Sequence, residues 1–287
     1  MKIKSKDFRT QRGSKIKLKR WPTRVEPYFG SKDAYEEMLE ESVDELSSQQ
    51  GLLYASAKYA LLLIFQGMDA AGKDGIIRHV MSGVNPQGCE VVSFKEPNSE
   101  ELKHDFLWRT TCNLPQRGQI GIFNRSYYEE VLITKVHPEI LANEGISKES
   151  ADSKEFWECR YRSIVEFEGH LHRNGTRVIK FFLHLSKHEQ RRRFLERIEE
   201  PEKNWKFSAA DIRERKYWDN YTKAYEDCIE ATTTRDTPWH IVPADDKKNA
   251  RLIVSHIILD ELKDLKLTPP SSSAAHRREL NSALKQL

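Results

Sequence analysis

Tyr59-Ala60-Leu61-Leu62-Leu63-Ile64-Phe65-Gln66-Gly67-Met68-Asp69-Ala70-Ala71-Gly72-Lys73 is the stretch on which the fold turns. Residues 59–65 form an apolar run without alternation, the pattern of a parallel strand buried on both faces, and Gln66-Gly67 ends it. Gly67 to Lys73 then fits G-x-x-x-x-G-K, placed between that strand and the start of a helix. Glycines in such a turn let backbone N–H groups converge on phosphate oxygens, and the helix N-terminus adds a favourable dipole. Gly67, Ala70, Ala71, Gly72, Lys73, Asp74 and Gly75 are therefore the expected phosphate-binding residues. Lys73 is expected to be catalytic, a mobile cation on the phosphates being transferred. The competing reading is an ordinary glycine-rich turn, but strand, loop and lysine stand in the order that phosphate binding requires.

The loop departs from the common motif in one respect. A Ser or Thr that holds Mg²⁺ normally follows the lysine; here Asp74 and Gly75 follow it. Asp69 adds a second acid inside the loop. A carboxylate facing phosphates is repelled unless it turns away or a divalent cation lies between. Asp69 is read as a metal ligand and catalytic residue, and the role of Asp74 stays open. Either acid would alternatively cap Lys73 or the following helix.

Outward from this loop the chain alternates. Helices are expected over 31–57, 73–84, 99–113 and 155–173. Further helices are expected from the capping box at Ser186 to about Glu199, from Ser208 to about Thr232, and over 247–265. Strands are expected over 89–94, 120–123, 178–185 and 239–242. Strands alternating with helices imply an α/β fold of three layers, a parallel sheet covered on both faces, with ligands at the carboxyl ends of its strands. The expected organisation is a basic arm over 1–30, a P-loop domain over 31–265, and a flexible tail over 266–287 marked by Pro269, Pro270 and three serines.

Composition bounds the class. The chain has 287 residues, 38% of them apolar and 32% charged, as in a water-soluble globular enzyme. No apolar run approaches the roughly 20 residues of a membrane span, and the N-terminus lacks a secretory signal. Four scattered cysteines, Cys89, Cys112, Cys159 and Cys228, argue against a disulfide framework or a zinc site and fit a reducing cytoplasm. Net charge is only +3, yet residues 1–24 hold ten Lys and Arg against Asp7 alone. Arg191-Arg192-Arg193 and Arg197 form a second cluster. Basic clusters in a nearly neutral chain point to a polyanion partner; a solvated arm and a charged helix face are the competing readings.

The third expected strand, Ile120-Gly121-Ile122-Phe123, runs into Asn124-Arg125-Ser126-Tyr127-Tyr128-Glu129. An Asp that holds Mg²⁺ is usual at this strand end; Asn124 takes its place, and Glu129 would restore the carboxylate as a metal ligand one helical turn on. Arg125 is placed to neutralise charge on a transferring phosphoryl group and is the third expected catalytic residue. Together, G-M-D-A-A-G-K-D-G, F-N-R-S-Y-Y-E and N-W-K-F-S (204–208) resemble the type 2 polyphosphate kinase family. The likeness extends through T-P-W-H-I-V-P-A-D-D-K-K-N-A-R (237–251) and runs in order from about residue 30 to 265. The F-N-R-S strand end with Glu129 is most similar to that family's class III branch.

The resemblance implies a nucleotide-kinase-like core with a helical lid around 188–216, and transfer of phosphoryl groups between inorganic polyphosphate and AMP, ADP or ATP. It implies both AMP and ADP as acceptors. Arg191, Arg193, Arg197 and Lys206 become expected polyphosphate contacts in the lid; the competing reading is a solvated, salt-bridged helix. Mg²⁺ is the expected cofactor, with Mn²⁺ as a substitute, since both suit oxygen ligands. A homo-oligomer, dimer or tetramer, is expected, in the cytoplasm, without nucleic-acid or membrane partners. The alternatives are an ATP-dependent nucleoside or nucleotide kinase on the same fold and, more distantly, a nucleic-acid-binding P-loop protein.

Overall fold

The apolar run after Lys58 forms β1 (Ala60–Gln66), with all seven residues buried, in a computed structural model that describes residues 3–271 and 273–286. β1 lies at the centre of a five-stranded sheet with β2 (Cys89–Ser93), β3 (Ile120–Asn124), β4 (Thr176–His184) and β5 (Trp239–Pro243). The order is β2-β3-β1-β4-β5 and every pairing is parallel. The chain leaves β1 toward one edge and later returns past it to the other. A topological switch point therefore lies at the carboxyl end of β1, where the glycine loop begins.

Eleven helices connect and cover these strands among the described residues: α1 (Lys32–Ser56), α2 (Lys73–Val80), α3 (Trp108–Thr111), α4 (Glu129–Val136), α5 (Lys148–Ala151), α6 (Lys154–Arg173), α7 (Lys187–Glu199), α8 (Ala209–Glu214), α9 (Trp218–Thr232), α10 (Lys247–Asp264) and α11 (Ala274–Leu284). Side chains of a strand alternate between faces, and β1 shows what this does. Leu61, Leu63 and Phe65 pack with residues of α1, α2 and α10, while Leu62 and Ile64 pack with residues of α4, α6 and α9. These are the three layers expected. None of the helices is long and apolar enough to cross a membrane.

Three expected elements differ. The helix over 99–113 is two separate turns, Glu101–Lys103 and α3. Asn98 Oδ1 accepts from Glu100 and Glu101 N–H, and Asp105 Oδ1 accepts from Leu107 N–H, so each turn has its own side-chain start. The helix from Ser208 is broken into α8 and α9 by a tight turn at Arg215–Tyr217. That turn brings Glu214 back within 2.8 Å of Tyr221 Oη. In the tail, Ser273 caps α11, whose residues are all exposed.

The basic arm is irregular, yet it is docked on the core. Ile3 and Phe8 enter one hydrophobic cluster, Ile16 and Leu18 the other, each at most 6% exposed. Backbone bonds link Thr10 N–H to Trp239 O and Ile241 N–H to Phe8 O, extending the sheet edge. Leu18 N–H donates to Glu226 and Ile16 N–H to Glu230. Removing residues 1–24 is therefore expected to destabilise the fold as a whole, because each buried side chain is worth about 1.5–3 kcal/mol. A denaturant unfolding curve should shift to markedly lower midpoint. An unchanged midpoint would show that the arm is not part of the core.

Candidate active site

The loop from Gly67 to Gly72 leaves β1 at its carboxyl end and enters α2 at Lys73. Its glycines are set by space and backbone. A Cβ on Gly67 would lie 3.0 Å from Leu183 O and 3.1 Å from Ala71 Cβ, and Gly72 has φ +100°. Lys73 Nζ folds back onto the loop's own carbonyls, 2.7 Å from Gly67 O and 3.5 Å from Met68 O. Burial lowers the pKa of this ammonium and Arg125 adds to the effect, while Asp69, Glu129 and Asp74 oppose it.

The segment after β3 reaches the loop from the adjacent strand. Arg125 N–H donates to Phe65 O at 3.1 Å, and its backbone adopts φ +65°, a costly conformation for a residue with a Cβ. Arg125 Nη2 lies 3.2 Å from Asp69 Oδ1. Asn124 Nδ2 donates to Asp74 Oδ1 at 2.6 Å. The two departures from the common motif thus meet in one hydrogen bond, with the amide accommodating the carboxylate that stands where a hydroxyl is usual. Burial raises the pKa of Glu129, against the lowering effect of Arg125 and Lys73.

A wholly buried polar cluster fixes this segment from below. Lys180 Nζ donates to Glu168 Oε2 at 2.6 Å and to Tyr128 Oη at 3.0 Å. Tyr127, Tyr128 and Thr237 hydroxyls donate to the same carboxylate at 2.9, 2.6 and 2.9 Å. Every partner is satisfied, so the cluster is rigid rather than reactive.

Two cavities open at the carboxyl ends of the strands. The larger, about 730 Å³, is lined by ten Lys and Arg against five Asp and Glu, an environment for a polyanion longer than one phosphate. Lys73, Lys203, Lys206 and Lys247 are among its cations. The smaller, about 430 Å³, has apolar and aromatic walls from Met68, Leu132, Ile133, Trp218, Tyr221 and Tyr225. His137 and Glu214, 2.8 Å apart, stand among its polar groups. Asp69, Arg125 and Asp211 line both cavities.

The family model described as "Polyphosphate kinase 2" matches residues 30–269. The chain belongs to the polyphosphate kinase 2 family. Among curated members, the ADP-polyphosphate phosphotransferase of Rhodopseudomonas palustris is 60% identical over 287 residues, covering 100% of this chain and 99% of that one. The AMP/ADP-polyphosphate phosphotransferase of Meiothermus ruber is 40% identical over 274 residues, covering 95% and 98%. The crystal structure of polyphosphate kinase 2 from Arthrobacter aurescens TC1 superposes with a TM-score of 0.87 at 37% identity, covering 97% of this chain and 96% of that one.

Within this member of the polyphosphate kinase 2 family, the structure gathers most of the residues singled out from sequence. Asp69, Ala70, Ala71, Gly72, Lys73, Asp74, Gly75, Asn124, Arg125, Arg197 and Lys206 line the larger cavity. Gly67 and Glu129 line the smaller one. Arg191 lines neither and is exposed. Arg193 also lines the larger cavity, but it is held closely by the protein itself. It is 4% exposed, and all five of its N–H donors face protein acceptors: Glu189, Ala70 O, Ala71 O, Ala244 O and Asp245 O, at 2.6–3.3 Å. Arg197 also has a protein partner, Asp211, at 3.0 Å.

Sequence reasoning missed Asp211 and the aromatic wall. Trp218, Tyr221 and Tyr225 recur at helical spacing on α9, a signal present in the chain but indistinguishable from a core stripe. For metal, Asp69 and Glu129 offer hard oxygen donors. Among the described residues no three His, Cys, Asp or Glu converge to cage an ion. That donor set fits a cation that completes its shell with phosphate oxygens and water, the habit of Mg²⁺ rather than of a structural metal.

Proposed function

We propose that this enzyme moves the terminal phosphoryl group of inorganic polyphosphate onto AMP and onto ADP. The phosphate chain lies in the larger cavity and the nucleotide in the smaller. The observation that carries this reading is the shared wall: Asp69, Arg125 and Asp211 face both cavities, so donor and acceptor phosphates meet between them. An oxygen of the acceptor's last phosphate forms a bond to the terminal phosphorus of the chain. The bond to the bridging oxygen breaks, and the negative charge stays on the shortened polyphosphate. The attacking oxygen is already anionic, so no general base is required. Positioning and charge neutralisation suffice. Lys73 and Arg125 offset charge on the transferred group, and aromatic rings of Trp218 and Tyr221 flank the base.

Asp69 and Glu129 would hold Mg²⁺, with Mn²⁺ as a substitute. Bound there, it would supply positive charge against the phosphate oxygens. Use of both acceptors is supported by the Phe123-Asn124-Arg125-Ser126 strand end with Glu129, and by the AMP/ADP in the name of the Meiothermus ruber relative. The Rhodopseudomonas palustris relative carries an ADP activity in its name. The division of labour is tested by Lys206→Ala and Trp218→Ala. The first should raise KM for polyphosphate and leave KM for the nucleotide within about twofold; the second should do the reverse, by about tenfold for a lost stacking partner. If both raise the same KM, the two cavities do not divide donor from acceptor.

A further inference from the structure

Arg193 of α7, at the edge of the larger cavity, turns its guanidinium onto the carbonyls of the phosphate loop. Arg193 Nη1 donates to Ala70 O at 2.8 Å and Ala71 O at 3.0 Å. Three residues earlier, Gln190 Nε2 donates to Asp69 O at 3.0 Å. Three consecutive carbonyls of the loop are thereby held by one helix. The second arm of the guanidinium reaches Ala244 O at 2.6 Å and Asp245 O at 3.3 Å, just past the end of β5. Arg193 Nε donates to Glu189 Oε1 at 2.8 Å, and Arg192 donates to the same oxygen at 2.5 Å. Burial alone would raise the Glu189 carboxyl, but the hydrogen bonds from Arg192 and Arg193 outweigh it and lower its pKa, so the clamp's counter-charge stays ionised.

We propose that Arg193, assisted by Gln190, is a positioning residue that grips the outer carbonyls of the phosphate loop and so aims its N–H groups at the phosphates. The physical basis is the planarity of the peptide bond. In a trans peptide the C=O of one residue and the N–H of the next point in opposite directions, and the described chain has no cis peptide. Holding the carbonyls of Asp69 and Ala71 against α7 turns the N–H groups of Ala70 and Gly72 the other way, and both residues line the larger cavity. The third, Ala71 N–H, closes the turn onto Met68 O at 3.1 Å. A cation at the carbonyl end of a peptide also polarises its N–H, strengthening it as a donor to an anion. Gly72, which follows the held Ala71 carbonyl, has φ +100°, a conformation that disfavours a side chain. The loop's left-handed Ala70, φ +62°, is the strained residue that these bonds hold in place.

The inference deepens the proposed phosphotransfer and rests on it. Arg193→Lys is the deciding variant. It keeps the positive charge beside Glu189, so it folds, but an ammonium cannot span two pairs of carbonyls as the planar fork does. The expected result is a kcat lowered by about 10²-fold, the effect of a small misplacement of reacting groups, with KM for a polyphosphate of fixed length within twofold and the melting temperature near wild type. Gln190→Ala should lower kcat in the same sense by about tenfold, again without a change in polyphosphate KM. Wild-type kcat in Arg193→Lys, or a raised polyphosphate KM with kcat retained, overturns the clamp. Lys206→Ala, measured beside them, keeps the two ideas separate. If that variant leaves polyphosphate KM unchanged, the donor-cavity assignment falls, while the kcat of Arg193→Lys still judges the clamp.

Discussion

Lys73→Ala is expected to lower phosphoryl transfer by about 10³-fold or more while the protein stays folded. The side chain is half-buried, and its ammonium is bound to Gly67 O and Met68 O. Its removal leaves Arg125 to offset the buried Glu129 carboxylate. Unfolding midpoints should correspond to a change within about 0.5 kcal/mol, as for substitutions away from packing. The loss falls on the transition state instead. Burial has already stripped part of the ammonium's water, as its lowered pKa reflects. It therefore gives up little on exchanging two carbonyls for phosphate oxygens, and its charge acts at short range. Near-wild-type turnover in the variant would remove Lys73 from the chemistry.

Asp69→Asn is the second large effect. The carboxylate sits between the cavities, 3.2 Å from Arg125, and its own backbone carbonyl is held by Gln190. Asn preserves shape and loop geometry, so the change is one of charge. Turnover should fall by about 10²–10³-fold, and the Mg²⁺ concentration for half-maximal rate should rise, with part of the activity recovered at high Mg²⁺. Loss of turnover with an unaltered Mg²⁺ dependence would mean that Asp69 acts through Arg125 alone and holds no metal.

Local signals explain what was legible in the chain. β1 is one uninterrupted apolar run, and the loop that follows it is defined by residues within one turn, so both strand and phosphate cradle could be read directly. Arg125 and Glu129 were within reach because the strand end places them by sequence alone. Less legible were contacts that depend on which side of a helix meets which loop. Arg193 and Arg197 share a face of α7 and both line the larger cavity, yet Arg193 is buried against the loop while Arg197 pairs with Asp211. Helical spacing cannot separate them. Asp74 stayed open for the same reason: its partner, Asn124, is fifty residues away and one strand over. The arm misled through its charge, since the lysines and arginines alternate with Ile3, Phe8, Ile16 and Leu18, whose burial only the sheet edge reveals.

The most direct test is a time course with AMP as the only nucleotide, polyphosphate and Mg²⁺, in the absence of adenylate kinase, with products separated by chromatography. ADP should rise first and then decline as ATP accumulates, while polyphosphate is consumed. Products that stop at ADP would contradict use of both acceptors. No phosphorylated product from either AMP or ADP would contradict the placing of donor and acceptor on the two sides of Asp69 and Arg125.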